Sequence, residues 1–171
     1  IMTPEQYDQE FECSFTAAVS GAYYGRLITK AEKEKRITKV PYDENVGVET
    51  WWDLGIGDST SIWFAQRIGE EIHLIDYYET SGESLAHYAN VLEEKDYAYS
   101  CHIAPHDITA REWGTGKSRL EVANELGIDF DVAPKLEVHH GIESVRNTLP
   151  NCWFDREKCK VGLDALRQYR K

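Results

Sequence analysis

Apolar and polar residues alternate along three successive stretches, Glu49–Gly55, Ser59–Gln66 and Glu71–Tyr78, all rich in β-branched and aromatic side chains. A period of two marks a strand with one face turned to a core. The glycine-containing segments GIGDS and RIGEE separate the three, so they read as an antiparallel meander. The period then lengthens. Across Glu83–Glu94 the apolar positions Leu85, Tyr88, Ala89 and Leu92 recur at helical spacing, with Ser81 or Gly82 as the entry. Tyr97–Ala104 predicts a fourth strand, cut off by Pro105. Lys117–Leu126 predicts a short helix ended by Gly127, and Ile128–Val132 a fifth strand. Glu137–Leu149 predicts a helix stopped before Pro150, and Glu157–Lys171 a basic final helix.

The first 45 residues read differently. Thr3-Pro4-Glu5-Gln6 is a helix start, with Thr as cap and Pro at the first helical position. Phe11, Cys13 and Phe15 alternate with polar residues, as in a short strand. Gly21 to about Arg36 is a highly charged helix, and Pro41-Tyr42-Asp43 breaks the pattern. Residues 1–45 therefore read as a linker and connecting helix, and residues 46–171 as one mixed α/β domain. A helical crossover between the first and fourth strands makes them a parallel pair. Ligands of such sheets gather at the carboxyl ends of parallel strands.

Composition narrows the class. With 42% hydrophobic residues, five Trp and ten Tyr, the chain is too apolar for a disordered protein. No apolar run is long enough to span a membrane, and the N-terminus lacks the basic start and apolar core of a secretory signal. Four scattered cysteines without a CxxC pair fit a reduced, intracellular setting. The start at Ile1 reads as that of an excised fragment. The net charge of −11 is unevenly spread: residues 26–39 and 156–171 each hold six basic and two acidic side chains. The acidic remainder suits a site that holds divalent cations.

Two carboxylates stand where the topology directs attention. Asp53, in TWWDLGIGDS, closes the first strand; Asp107, in HIAPHD, follows the fourth. If those strands are parallel neighbours, the two acids face one another. Like charges that close repel unless a cation lies between them, which predicts a Mg²⁺ or Mn²⁺ site able to activate water for phosphodiester cleavage. The competing role for each is an ordinary cap or turn.

An Asp on the first strand of a meander and another after the fourth strand resembles the ribonuclease H-like nuclease superfamily. The segments QEFECSF, GAYYG, WWDLGIGDSTSIWFAQ, HIAPHD followed by GTGKSR, and GLDALRQYR are similar, in that order, to large terminase subunits of tailed bacteriophages. The resemblance implies a ribonuclease H-like nuclease domain behind an upstream packaging ATPase. It implies an endonuclease that cuts concatemeric double-stranded DNA during packaging, with Asp53 and Asp107 holding Mg²⁺ or Mn²⁺, in all two ions. It also implies the small terminase subunit and the portal as partners, and the cytoplasm of a bacterial host as the location. The family's third metal-binding acid is expected beyond Lys171; Asp164 does not match it. If an acid already present completes the site instead, Asp129, Asp131 and Glu143 are the candidates. Rival readings are an RNase H, resolvase or integrase activity on the same fold, and a non-catalytic docking module.

Other residues carry weaker signals. GTGKS ends like a phosphate-binding loop, but the glycine that GxxxxGK[ST] requires is Arg111 here. A basic loop touching DNA phosphates through Lys117 and Arg119 is the better reading. His106 adjoins Asp107 and is a candidate to orient it or move a proton. His139-His140 opens a helix and is a further candidate near the metal edge. Cys101 with His102 and His106, or Cys152 with Cys159, matches no zinc spacing. Trp51, Trp52 and Trp63 read as core.

Overall fold

A computed structural model describes residues 21–55 and 59–170 of the 171-residue chain. The expected helix start at Thr3 and strand around Phe11 lie outside the described residues. In chain order the elements are α1 (Gly25–Lys33), β1 (Ile37–Thr38), β2 (Val48–Asp53), β3 (Ser59–Ile68) and β4 (Glu71–Ser81). There follow α2 (Leu85–Lys95), β5 (Tyr99–Ala104), a 3₁₀ turn (His106–Thr109), α3 (Arg119–Glu125) and β6 (Phe130–Val132). Then come α4 (Val138–Thr148), a second 3₁₀ turn (Leu149–Asn151), β7 (Cys152–Asp155) and α5 (Lys160–Gln168).

The seven strands form one sheet in the order β1-β7-β4-β3-β2-β5-β6. β2, β3 and β4 are the antiparallel meander; β5 lies parallel to β2, β6 to β5, and β7 to both β4 and β1. The fold is thus the mixed α/β sheet expected from the pattern, an antiparallel meander extended by parallel strands. Alternation along β2 divides two cores. Val48 and Trp52 join Ile62, Phe64, Tyr88, Leu92 and Phe130 beneath α2 and α3, while Trp51 and Trp63 join Tyr24, Ile28, Phe154 and Leu163 beneath α1, α4 and α5.

Residues 25–40, within the segment read as a connection, are built into this sheet. Ile28 and Ala31 of α1 are buried and β1 pairs with β7. The buried Arg36 guanidinium donates to the carbonyls of Leu149 (3.1 Å) and Cys152 (2.7 Å). The Val40 N–H donates to the Asp155 carboxylate at 3.0 Å. The last helix begins at Lys160, not at Glu157, because the Asp155 carboxylate draws the N–H groups of Glu157 and Lys158 into a turn (3.2 and 3.0 Å).

A buried polar ladder ties β2 to β5. Trp52 Nε1 donates to Thr50 Oγ1 at 2.7 Å, and the same hydroxyl shares a 2.6 Å hydrogen bond with His102 Nδ1. Burial holds His102 below its ordinary 6.5, against an opposing pull from Asp129. The unfolded chain therefore takes up a proton near pH 6.5 before the native state does. Stability from this group falls as pH drops below about 6.5, by at most about 1.4 kcal/mol per pH unit, until native His102 protonates. Thermal unfolding of His102→Asn between pH 7 and 5 should show a shallower loss than the wild type; an identical slope would refute the assignment.

Candidate active site

The parallel pairing of β2 with β5, in register at Trp51↔Ile103, brings their carboxyl ends to one edge of the sheet. Asp53 is the last residue of β2, and Asp107 sits in the 3₁₀ turn that follows β5. That turn is anchored by Ile108, which is fully buried, while Asp107 itself remains exposed. Asp53 reaches solvent but stands among enough protein that its carboxyl is pushed above the ordinary range, and the charge of Asp107 pushes the same way. The two acids are electrostatic neighbours.

What the pair lacks is equally informative. Buried Asp76 receives Lys95 Nζ (2.7 Å), Tyr97 Oη (2.9 Å) and the Tyr77 N–H (2.8 Å). Asp155 receives three backbone N–H groups. Among the described residues neither Asp53 nor Asp107 has an ion pair or a side-chain hydrogen bond. Two repelling carboxylates left without a donor are hard oxygen ligands that a divalent cation fits.

A row of side chains continues from Asp53 across the meander. Asp53 pairs with Ser61 of β3, and Ser61 pairs with Glu79 of β4, so all three share one face. Two strand spacings put the Asp53 and Glu79 backbones roughly 10 Å apart. Tyr77 Oη donates to Glu79 at 2.8 Å and fixes that carboxylate. Burial and the Glu79 hydrogen bond push the Tyr77 phenol upward, with a smaller push from Asp53. Ser61, Tyr77 and Glu79 were missed from the sequence. The signal was the alternation itself, which puts Trp51/Asp53, Trp63/Ser61 and Tyr77/Glu79 in matching phase once the register is known.

The remaining candidates separate. Among the described residues no third His, Cys, Asp or Glu joins Asp53 and Asp107 in a compact ligand group; Asp129, Asp131 and Glu143 do not. Glu143 is instead paired with Arg146 at 2.7 Å. His139 and His140 converge with Glu137 at the exposed start of α4, their ligand atoms within 4.8 Å of one another. His106 lies on the same turn as Asp107. The cysteines form no metal group among the described residues, and burial holds the Cys152 and Cys159 thiols up to about 11 and about 12.

The segment 111–118 is not a phosphate-binding loop. Arg111 and Ser118 form an antiparallel bridge, and Ser118 caps α3 in a reciprocal box with Glu121. Each nearby cation faces a carboxylate: Lys117 with Glu125 at 2.6 Å, Arg119 with Glu112 at 3.4 Å, Arg111 with Glu121 at 3.7 Å.

No protein-family model and no curated protein matches this sequence. Solved structures do match it. The nuclease domain of the P22 large terminase superposes with a TM-score of 0.61 over 81% of this chain and 76% of its own, at 14% identity. The large terminase nuclease of thermophilic phage G20c with bound cobalt gives 0.59 over 88% and 81%, at 16% identity. The chain has the large-terminase nuclease fold. A large terminase from a further thermophilic bacteriophage, in complex with ATP-γ-S, gives a TM-score of 0.67 at 14% identity over 84% of this chain. The chain spans only 37% of the length of that terminase. The first seven residues of the GLDALRQYR segment, Gly162–Gln168, lie in α5, whose Leu163 is buried against the sheet face that carries Asp53. No helix among the described residues is long and apolar enough to cross a membrane.

Proposed function

We propose that this chain is the nuclease part of a phage terminase large subunit, cutting concatemeric double-stranded DNA during genome packaging. The observation that carries the reading is the meeting of Asp53 and Asp107, unpartnered among the described residues, at the ends of adjacent parallel strands. The shared fold supports it, as do the G20c nuclease structures with bound cobalt and magnesium. Asp53 and Asp107 would hold Mg²⁺ or Mn²⁺, two ions in the full site. Such ions supply a nucleophilic water at neutral pH and neutralise charge growing on the phosphate. The two carboxylates would set where the scissile phosphate sits; His106, exposed on the same turn as Asp107, is the proposed auxiliary group for moving a proton. An upstream ATPase domain, a small terminase subunit and a portal are the proposed partners, and the host bacterial cytoplasm the proposed setting.

Nicking of supercoiled plasmid in Mn²⁺ tests the reading. Competition with plain duplex should suppress nicking better than an RNA–DNA hybrid or a four-way junction; preference for either of those would point to an RNase H or a resolvase instead.

Lys117 and Arg119 are the proposed phosphate contacts. Their present carboxylate partners are exposed and hold them weakly, so phosphates can displace Glu125 and Glu112. Lys117→Ala with Arg119→Ala should weaken DNA binding equally for all sequences and lower the log–log salt slope by close to one per lost contact. An unchanged slope would move the DNA grip to another surface.

A further inference from the structure

Trp113 is the one tryptophan among the described five that lies fully open, with relative exposure of 104%. Trp52 is buried, and Trp51, Trp63 and Trp153 are packed against the cores. A whole indole left in water adds nothing to the free protein's core, and tryptophan is a side chain enriched at contact surfaces.

The loop that carries it is built to hold it out. Beyond the Arg111↔Ser118 bridge, the Glu112 N–H donates to the Lys117 carbonyl at 3.0 Å and the Gly116 N–H to the Glu112 carbonyl at 2.9 Å. The Arg111 guanidinium donates to the Gly116 carbonyl at 3.0 Å. Gly116 has φ +67°, a turn that a side chain would strain. The loop is therefore closed through its own backbone, and the indole takes no part in closing it.

Its position decides the partner. Trp113 is six residues after Asp107, and six residues of chain reach at most about 20 Å. That is less than one turn of B-DNA, ~34 Å. The loop joins the end of β5 to α3, which leads back to the parallel strand β6, so it stands at the sheet edge that carries Asp53 and Asp107. The same loop carries Arg111 and Lys117, and Arg119 opens α3 beside it; their ion pairs with exposed carboxylates can be exchanged for phosphates.

Resting on the nuclease reading above, we infer that Trp113 is a DNA contact that stacks on a base exposed where the duplex is locally opened beside the cut. An indole on a rigid loop fits this partner because every nucleobase offers a π-face, so stacking needs no particular sequence. The interaction adds affinity for opened DNA without adding charge.

The test uses the whole chain carrying Asp53→Asn to prevent cleavage, and a dye-labelled 30-base-pair duplex with a central two-nucleotide bubble, read by anisotropy. Adding Trp113→Ala should weaken binding to the bubble duplex by about 5- to 150-fold, the range for loss of one stacked base. Trp113→Phe should restore most of it, and the salt slope should not change, because no phosphate contact is lost. The fully paired duplex should show a smaller loss. Equal affinities for Trp113→Ala and its parent would overturn the inference and leave the nuclease reading standing. So would a loss accompanied by a changed salt slope, which would assign the effect to displaced cations. A parent that binds neither duplex would overturn the nuclease reading and this inference together.

Discussion

Asp53→Asn and Asp107→Asn should each abolish plasmid nicking in Mn²⁺, a loss of about a thousandfold or more, and Asp53→Asn should at the same time raise the melting temperature of the metal-free protein. The first half follows from the site: removing a ligand forfeits several kcal/mol of charge stabilisation, and each 1.4 kcal/mol is about tenfold in rate. The second half follows from electrostatics. The carboxyl of Asp53 lies above its ordinary 3.8 because of burial and the charge of Asp107. The native state therefore keeps the proton longer than the unfolded chain. Stability from this group is present at acid pH and lost as pH rises from 3.8 through the raised native value. At neutral pH the folded chain carries that repulsion in full, and an uncharged Asn removes it. Added Mn²⁺ should stabilise the wild type, by binding only the native state, and should do so far less for either variant. Unaltered nicking in a folded variant, or equal Mn²⁺ stabilisation of variant and wild type, would remove Asp53 and Asp107 from the site.

Gly162→Ala should destabilise the fold by about 1–2 kcal/mol even though Ala is the better helix former. A Cβ on Gly162 would stand 2.6 Å from Trp63 Cη2 and 2.7 Å from both Trp63 Cζ2 and Tyr77 Cδ2. Those rings have little room to yield. Trp63 packs on Tyr77 at 4.6 Å between centroids and on Phe154 at 5.8 Å. Overpacking of this kind costs typically about 1–3 kcal/mol, against up to about 1 kcal/mol that the helix gains from Ala. Thermal unfolding checks it. A rise in melting temperature would mean that α5 is not pressed onto the Trp63–Tyr77 surface. Because Tyr77 holds Glu79 in the row with Asp53, a partly folded Gly162→Ala chain should also lose nicking activity beyond its loss of native population.

The pair Asp53–Asp107 was legible in the sequence because one topological rule was enough. A helix between two strands makes them parallel, parallel strands end at the same edge, and the motif residues stood at those ends. The meander was equally plain, since its strands run six to eleven residues with aromatic and β-branched side chains. What escaped notice was short or long-range. β1 has two residues and β7 four, too few for any period to register. Their strand character comes from partners far along the chain, such as Ile37 with Phe154 and Ile72 with Cys152. The Glu79–Tyr77 hydrogen bond and the row across β4 depended on register, which a loop of uncertain length between strands leaves open. The ion pairs of Lys117 and Arg119 were also out of view, because their partners lie eight and seven residues away across a loop–helix junction, a spacing that no helical or strand period marks.

The slot that β7 fills between β1 and β4 has a consequence for the order of assembly. The hydrogen bond from Val40 to Asp155 spans 115 residues of chain, and that from Arg156 to the Ile37 carbonyl spans 119. The meander can close locally, through loops of a few residues, soon after its own strands exist. α1 and β1 cannot, because their neighbour in the sheet follows 115 residues or more later in the chain. Loop closure over such separations slows the barrier crossing. Refolding should therefore be biphasic in hydrogen-exchange labelling, with amides of β2, β3 and β4 protected early and those around Ile37 and Phe154 together and late.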